Sequence, residues 1–155
     1  MEVDEFQSRW LTERLAMSQV EDMAVQWLEA GFDGPCLREL AWHHDSRDEV
    51  DQLIHGAMAE LGRRVMTVDE ARYWWATEVA AQIVDGSLDP YEGANNIYWE
   101  CWAGIIPRPD DIQRFYYLAL EAIQGYGDAL PTPELKARIK VEAESFLRLQ
   151  RKLSD

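Results

Sequence analysis

Residues Thr67 to Ile106 constrain the fold of this chain more than any other stretch. Thr67-Val68-Asp69-Glu70 has the S/T-x-x-E spacing of a capping box, in which the hydroxyl and the carboxylate each satisfy a backbone N–H at a helix start. A helix is predicted over about 68–85, with a stop at Gly86, the residue type that most easily adopts a left-handed cap. Asp89 suits the next N-cap, Pro90 the first helical position, and Glu92 the return contact to the cap, so a second helix is predicted over about 90–103. Only Gly86 to Asp89 remain to join the two, which makes them an antiparallel hairpin. Val68, Ala71, Trp75, Val79 and Ile83 on one side and Trp74, Ala81 and Val84 on another predict a first helix that is internal around most of its circumference. Glycine in a helix costs about 1 kcal/mol relative to alanine. Gly93 is therefore expected at a close backbone contact, with Gly93 and Ala94 opposite Ala80 and Ala81.

The rest of the chain reads as further amphipathic helices. Phe6, Trp10, Leu11 and Leu15 predict a helix over 2–16, and Ser18 with Glu21 a capping box before Val20, Met23, Ala24, Trp27 and Leu28. Gly31 is the expected stop. A short helix follows from Pro35 to about His43, and Ser46 with Glu49 is expected to open another over 47–61. Pro107 and Pro109 interrupt the chain, Asp110-Asp111 start a helix ending near Gly125, and Thr132-Pro133 start the last, over about 133–153. Its predicted buried stripe is Leu135, Ile139, Ala143, Phe146, Leu147, Leu149 and Leu153. With no β-alternation, repeat or linker, residues 1–155 are read as a single all-α domain. It has seven or eight helices packed around the central antiparallel hairpin, and at this length roughly 70% of the unfolded chain's surface can be buried.

The charge distribution narrows the partners. The formal net charge is −14, and residues 1–62 hold 14 acidic against 4 basic side chains, while residues 108–155 hold 8 of each. Such a field repels phosphate backbones and anionic lipid, so direct nucleic-acid and membrane binding are not expected, and a basic protein partner is. The N-terminus MEVDEFQS lacks a basic region and an apolar core of a secretory signal, and no apolar run approaches the roughly 20 residues that span a bilayer; a cytoplasmic location is expected. Cys36 and Cys101, each beside apolar neighbours, are read as buried reduced thiols.

No cofactor motif is present, and no catalytic one. His43, His44, Asp45, Asp48, Asp51 and His55 are the densest set of metal-ligand residue types, but they straddle a helix start, where acids serve the helix dipole; no metal site is assigned. Glu78 and Glu100, with Arg72 as counter-ion, are a carboxylate pair that the hairpin can bring together, read here as a structural pair or an exposed edge. All three histidines fall within 13 residues and no serine lies in a nucleophile-elbow sequence, so acyl-transfer chemistry has no support. Two sets of residues remain. Asp45, Asp48 and Asp51 are candidates for binding a basic partner. Of the 17 aromatic residues, 11 lie between Tyr73 and Tyr126, and Trp74, Trp99, Trp102 and Tyr116 are candidates for a ligand pocket between the fifth, sixth and seventh helices.

Leu37-Arg38-Glu39-Leu40-Ala41, Ala57-Met58-Ala59-Glu60-Leu61-Gly62 and Gly86-Ser87-Leu88-Asp89-Pro90-Tyr91-Glu92-Gly93-Ala94-Asn95-Asn96-Ile97 resemble segments of small all-helical bacterial proteins of unassigned function. The similarity covers less than half the chain and implies a helical hairpin with no catalytic residue. More loosely, the chain is similar to all-α immunity proteins, in which carboxylates and aromatics occlude a basic site. The expected function is a non-enzymatic interaction module, an inhibitor or immunity protein for a basic partner, with a small-ligand module or enzyme built on the aromatic pocket as the alternative.

Overall fold

The computed structural model describes residues 1–102, 109–124 and 131–154, whose regular elements are all helices, with no strand among them. The helices are α1 (Val3–Leu11), α2 (Met17–Glu29), α3 (Pro35–Leu40), α4 (Arg47–Glu60), α5 (Val68–Asp85), α6 (Pro90–Asn95, continuing as a π-helix over Asn96–Cys101), α7 (Asp110–Gln124) and α8 (Pro133–Ser154). The chain divides into two compact units, Met1–Ala71 and Arg72–Asp155, each with its own core. The break expected at Pro107 and the stop expected at Gly125 lie outside the described residues.

In the first unit, Phe6, Trp10, Val20, Trp27, Leu37, Leu40, Ile54 and Met58 are among the buried residues that α1–α4 contribute to one core. α1 is shorter than its apolar spacing predicts. It ends at Leu11 because the chain turns through a left-handed residue at Glu13, φ 60°, with Arg14 N donating to the Arg9 carbonyl at 2.7 Å. α2 opens one residue before Ser18, and the expected Ser18–Glu21 box does not form. Gln19 supplies the acceptor instead, taking the Ala16 N–H at 2.9 Å, while Glu21 turns to His43. Ser46 likewise makes no side-chain cap for α4, because Glu49 is directed towards His44, 3.9 Å away. Gly31, the expected stop, takes the left-handed conformation at φ 93°, and Gly62 closes α4 in the same way at 65°.

The six-residue α3 gets its N-terminal cap from another helix. Glu60 of α4 accepts from Cys36 N at 2.8 Å and Leu37 N at 3.0 Å. That contact explains Gly34: a Cβ there would lie 2.1 Å from the Glu60 carboxylate. Gly56 is explained the same way, since its Cβ would lie 2.3 Å from the Cys36 sulfur. Cys36 is a reduced, half-buried thiol, and burial, then the neighbouring Glu60, raises its pKa. Two buried polar residues of α1 hold the chain beyond α4. Gln7 donates to the Arg64 carbonyl at 3.2 Å and accepts from Met66 N at 2.9 Å, and the Ser8 hydroxyl donates to the Ala71 carbonyl at 2.7 Å.

At the junction the predicted capping box is present. Glu70 N donates to the Thr67 hydroxyl at 3.2 Å and Thr67 N to the Glu70 carboxylate at 2.7 Å, with Arg64 held on the same carboxylate at 2.8 and 2.9 Å. The Arg64 guanidinium and then the Thr67 bonds lower the Glu70 pKa to about 2.

In the second unit, Ala76, Val79, Ala80 and Ile83 of α5 pack with Ala94, Ile97, Ile112, Phe115, Ile139 and Phe146. α5 thus buries one i, i+3, i+4, i+7 stripe fully, with Trp74, Trp75, Ala81 and Val84 half-buried beside it and Glu78, Gln82 and Asp85 exposed. The internal helix expected from its two apolar sides is a one-faced helix with wide flanks. Gly93 does mark a close approach, but to the branched side chain of Ile83, which a Cβ would meet at 2.5 Å, and not to paired alanines. Asp89 caps α6 as predicted, accepting from Tyr91 N at 3.0 Å and Glu92 N at 3.4 Å, and it is paired with Lys136 of α8. Beyond Asn95 the wider π-turns change the register, so that Ile97, Tyr98 and Trp102 are buried while Trp99 faces outward.

Candidate functional site

Among the described residues the acidic first unit exposes two large aromatic side chains, Phe32 and, more fully, Trp42. Trp42 lies just past α3, in a turn closed by its own N–H to the Glu39 carbonyl at 3.0 Å, and is 70% exposed. Two histidines fix this turn. His44 is buried and bonds the Glu39 carbonyl through Nε2 at 2.9 Å. His43 meets Glu21 of α2 through Nδ1 at 3.1 Å and Asp45 through Nε2 at 3.2 Å, which fastens the Trp42 turn to α2 between two carboxylates. Val25, one helical turn from Glu21, and Phe32 at the end of α2 are also exposed. Trp42 is thus an exposed indole flanked by exposed Glu39 and Asp45, with Glu21 brought alongside by His43.

Asp45 and Asp48 are exposed, as a partner-binding role requires, but Asp51 is turned inward. It accepts from the buried Trp10 indole N–H at 2.5 Å. Arg47 covers the same ring, its guanidinium carbon 4.0 Å from the centroid, and donates to the Trp10 carbonyl at 2.7 Å. A cleft of about 20 Å³ beside Trp10, Asp51 and His55 has room for no more than a water molecule. His43, His44 and Asp51 are therefore committed to separate local contacts, and among the described residues no three His, Cys, Asp or Glu side chains are grouped to hold a metal ion. Trp42 directly follows the apolar Leu37, Leu40 and Ala41 stripe, so its spacing alone does not mark it as exposed. The available signal was its position just off that stripe, between acids.

The aromatic residues of the second unit form two groups. Trp102, 2% exposed, belongs to the core, with Tyr73 edge-on at 5.1 Å and the Arg72 guanidinium 5.7 Å from its ring. Its indole N–H has no hydrogen-bond partner among the described residues. Tyr73 in turn donates to Asp111 at 3.2 Å and stacks at 6.4 Å on Phe146. The other group runs from the buried Tyr98 outward to exposed Trp99 and Tyr117. Trp99 meets Tyr98 edge-on at 4.8 Å, Tyr98 stacks on Tyr116 at 4.2 Å, and Tyr116 lies 5.5 Å from Tyr117. Trp99 and Tyr116 thus share one run, Trp102 lies in the other group, and Trp74 is half-buried on α5. Glu78 is exposed, and the side chains of Glu100 and Cys101 lie outside the described residues.

Beside Tyr117 an open groove of about 520 Å³ runs between α7 and α8, lined by Leu118, Ala137 and Val141 and crossed by two ion pairs. Arg138 meets Glu121 at 2.7 Å and Arg114 meets Glu142 at 3.4 Å. The Arg138 guanidinium holds the Glu121 carboxyl below its usual range, as Lys136 does for Asp89 and Arg38 for Asp33. These shifts have pairing as their cause, which is the signature of structural ion pairs. Compared with models of known families, with curated proteins and with solved structures, the chain shows no significant match. Among the described residues no helix is long and apolar enough to cross a membrane.

Proposed function

We propose that the chain is a non-enzymatic protein-interaction module of the cytoplasm whose first unit captures a basic protein, as an inhibitor or immunity protein does. The observation that carries this reading is Trp42, 70% exposed in an acidic surround. Tryptophan is the residue type most enriched at interface hot spots, and a ring of carboxylates around it selects a cationic partner and speeds encounter. Charge supports the same reading. Residues 1–71 contain 16 acidic and 6 basic side chains, so this unit carries −10 of the −14. Its arginines are drawn into contacts within the unit, among them Arg9 with Glu5, Arg38 with Asp33, Arg64 with Glu70 and Arg47 on Trp10.

The test is capture of a basic protein from a lysate on immobilised wild-type chain and variants, with salt elution. The partner is expected to release as the Debye length falls towards about 3 Å at 1 M salt. Trp42→Ala should weaken capture roughly 30-fold or more, the scale of a hot-spot loss of about 2 kcal/mol, and Asp45→Lys or Asp48→Lys should weaken it by a smaller factor. Asp51→Ala should instead lower the melting temperature, by removing the Trp10 bond. Equal capture by wild type and Trp42→Ala would remove Trp42 as the anchor.

The small-ligand alternative rests on Trp99, which stands exposed beside the Tyr98–Tyr116 stack and offers its ring to a planar apolar ligand. In that reading Trp99→Ala abolishes a ligand-dependent thermal shift and leaves the fold intact.

A further inference from the structure

α8 has a second apolar face that the core does not use. Leu135, Ile139, Ala143 and Phe146 are buried, but Val141 is 61% and Leu149 43% exposed, with half-buried Ser145 between them at i, i+4, i+8 spacing. Leu149, assigned to the buried stripe from sequence, belongs to this outer face. Val141 also forms a wall of the α7–α8 groove, whose other apolar walls are Tyr117, 60% exposed, Leu118 and Ala137.

We propose that this face binds the same face of a second copy, with the two α8 helices crossing antiparallel at Ser145. The occupant follows from self-complementarity under a two-fold axis, which any isologous interface must have. An axis through Ser145 sets Val141 opposite the second copy's Leu149 and Glu142 opposite its Arg148, apolar against apolar and acid against base, each contact made twice. The small serine sits where the backbones come closest. The second copy's Leu149 then points at the groove beside Val141. Glu142 is half-buried and paired with Arg114 at 3.4 Å, and Arg148 is exposed, so the crossing would add the second copy's Arg148 to an existing Arg114–Glu142 pair. The single like-charged meeting, Arg138 with Lys152, falls about 10 Å along the helix from the crossing, and Arg138 is already neutralised by Glu121.

Net charge selects this face for self-association. A chain of −14 repels its own copies over most of its surface, whereas residues 108–155 carry 8 basic and 8 acidic side chains and no net charge. One helix crossing is a small interface, which places the dimer at the weak end of association.

Sedimentation equilibrium of the full chain from about 10 µM to about 1 mM spans that range. A reversible monomer–dimer equilibrium is expected, lost in Val141→Glu, an exposed site whose change leaves the circular dichroism spectrum unaltered. Glu142→Arg should raise the dissociation constant about tenfold by setting Arg against Arg, and Arg148→Glu in the same chain should restore it. Ser145→Cys should form an interchain disulfide under mild oxidation faster than the wild-type cysteines or an exposed Gln26→Cys control, because the axis brings the two positions together. A monomer at the highest concentration overturns the proposal. So does a dimer indifferent to Val141→Glu, or Ser145→Cys cross-linking no faster than its control.

Discussion

Among the described residues, side chains bonded to distant backbone are frequent in residues 1–71, whereas residues 72–155 join distant parts through packed rings and side-chain pairs such as Lys136 with Asp89. Glu60 reaches Cys36 N and Leu37 N, Gln7 reaches the Arg64 carbonyl and Met66 N, Ser8 reaches the Ala71 carbonyl, and Arg47 the Trp10 carbonyl. In the second unit the described bonds of this kind include local ones, Thr77 to the Tyr73 carbonyl and Asn95 to the Tyr91 carbonyl. Distant parts there are joined by Tyr73, Trp102, Phe115 and Phe146. Helix length accounts for the difference. A helix leaves four N–H and four C=O groups without internal partners at its ends, so a six-residue helix such as α3 is nearly all end, whereas the 22-residue α8 is mostly interior. Short helices need polar clamps; long ones can rely on an apolar stripe.

The largest effect that sharpens this contrast is expected at Phe146. Truncation to alanine removes a buried ring touching Tyr73 and Phe115 and should cost about 3–5 kcal/mol, with loss of amide protection centred on α7 and α8. Protection loss confined to α1–α4 would break the assignment of separate cores. Next comes Glu60→Ala, which leaves two backbone donors of α3 without their carboxylate and should cost about 1–3 kcal/mol in chemical denaturation. An unchanged midpoint would show that the clamp is dispensable.

The smallest effect is expected from pH at Glu70. Its folded pKa of about 2 lies below the ordinary 4.5, so its contribution is complete above the ordinary value and is lost as pH falls towards 2. Because the carboxylate is exposed and screened, the difference in melting temperature between wild type and Glu70→Gln should be modest at neutral pH. It should vanish on acidification, and a difference independent of pH would assign it to capping geometry instead of charge.

Much of the architecture was legible along the chain. Thr67 with Glu70, Asp89 with Pro90, and Gly31, Gly62 and Gly86 fixed where helices start and stop, because caps and left-handed turns depend on residues within a few positions of one another. The same locality explains the failures. Ser18 has the capping pattern, yet Glu21 turns to His43, 22 positions away, which its neighbours in sequence do not reveal. Asp51 reads as a surface acid until Trp10 is placed beside it, and Leu149 reads as core until α8 is seen to bury another stripe.

By itself, then, the sequence determined that this protein is all-helical, where most of its helices begin and end, and that its acidity is concentrated in the first half. Tertiary structure alone decided that Glu60 caps α3, that Gly93 makes room for Ile83, that Trp42 stands in water, and that Trp99 and Trp102 belong to different groups. Helix formation and termination are set by contacts within about four residues, which the order of residues specifies directly. Burial of a side chain, or the reach of a carboxylate across 23 or 24 positions from Glu60 to α3, depends on which distant segment packs beside it.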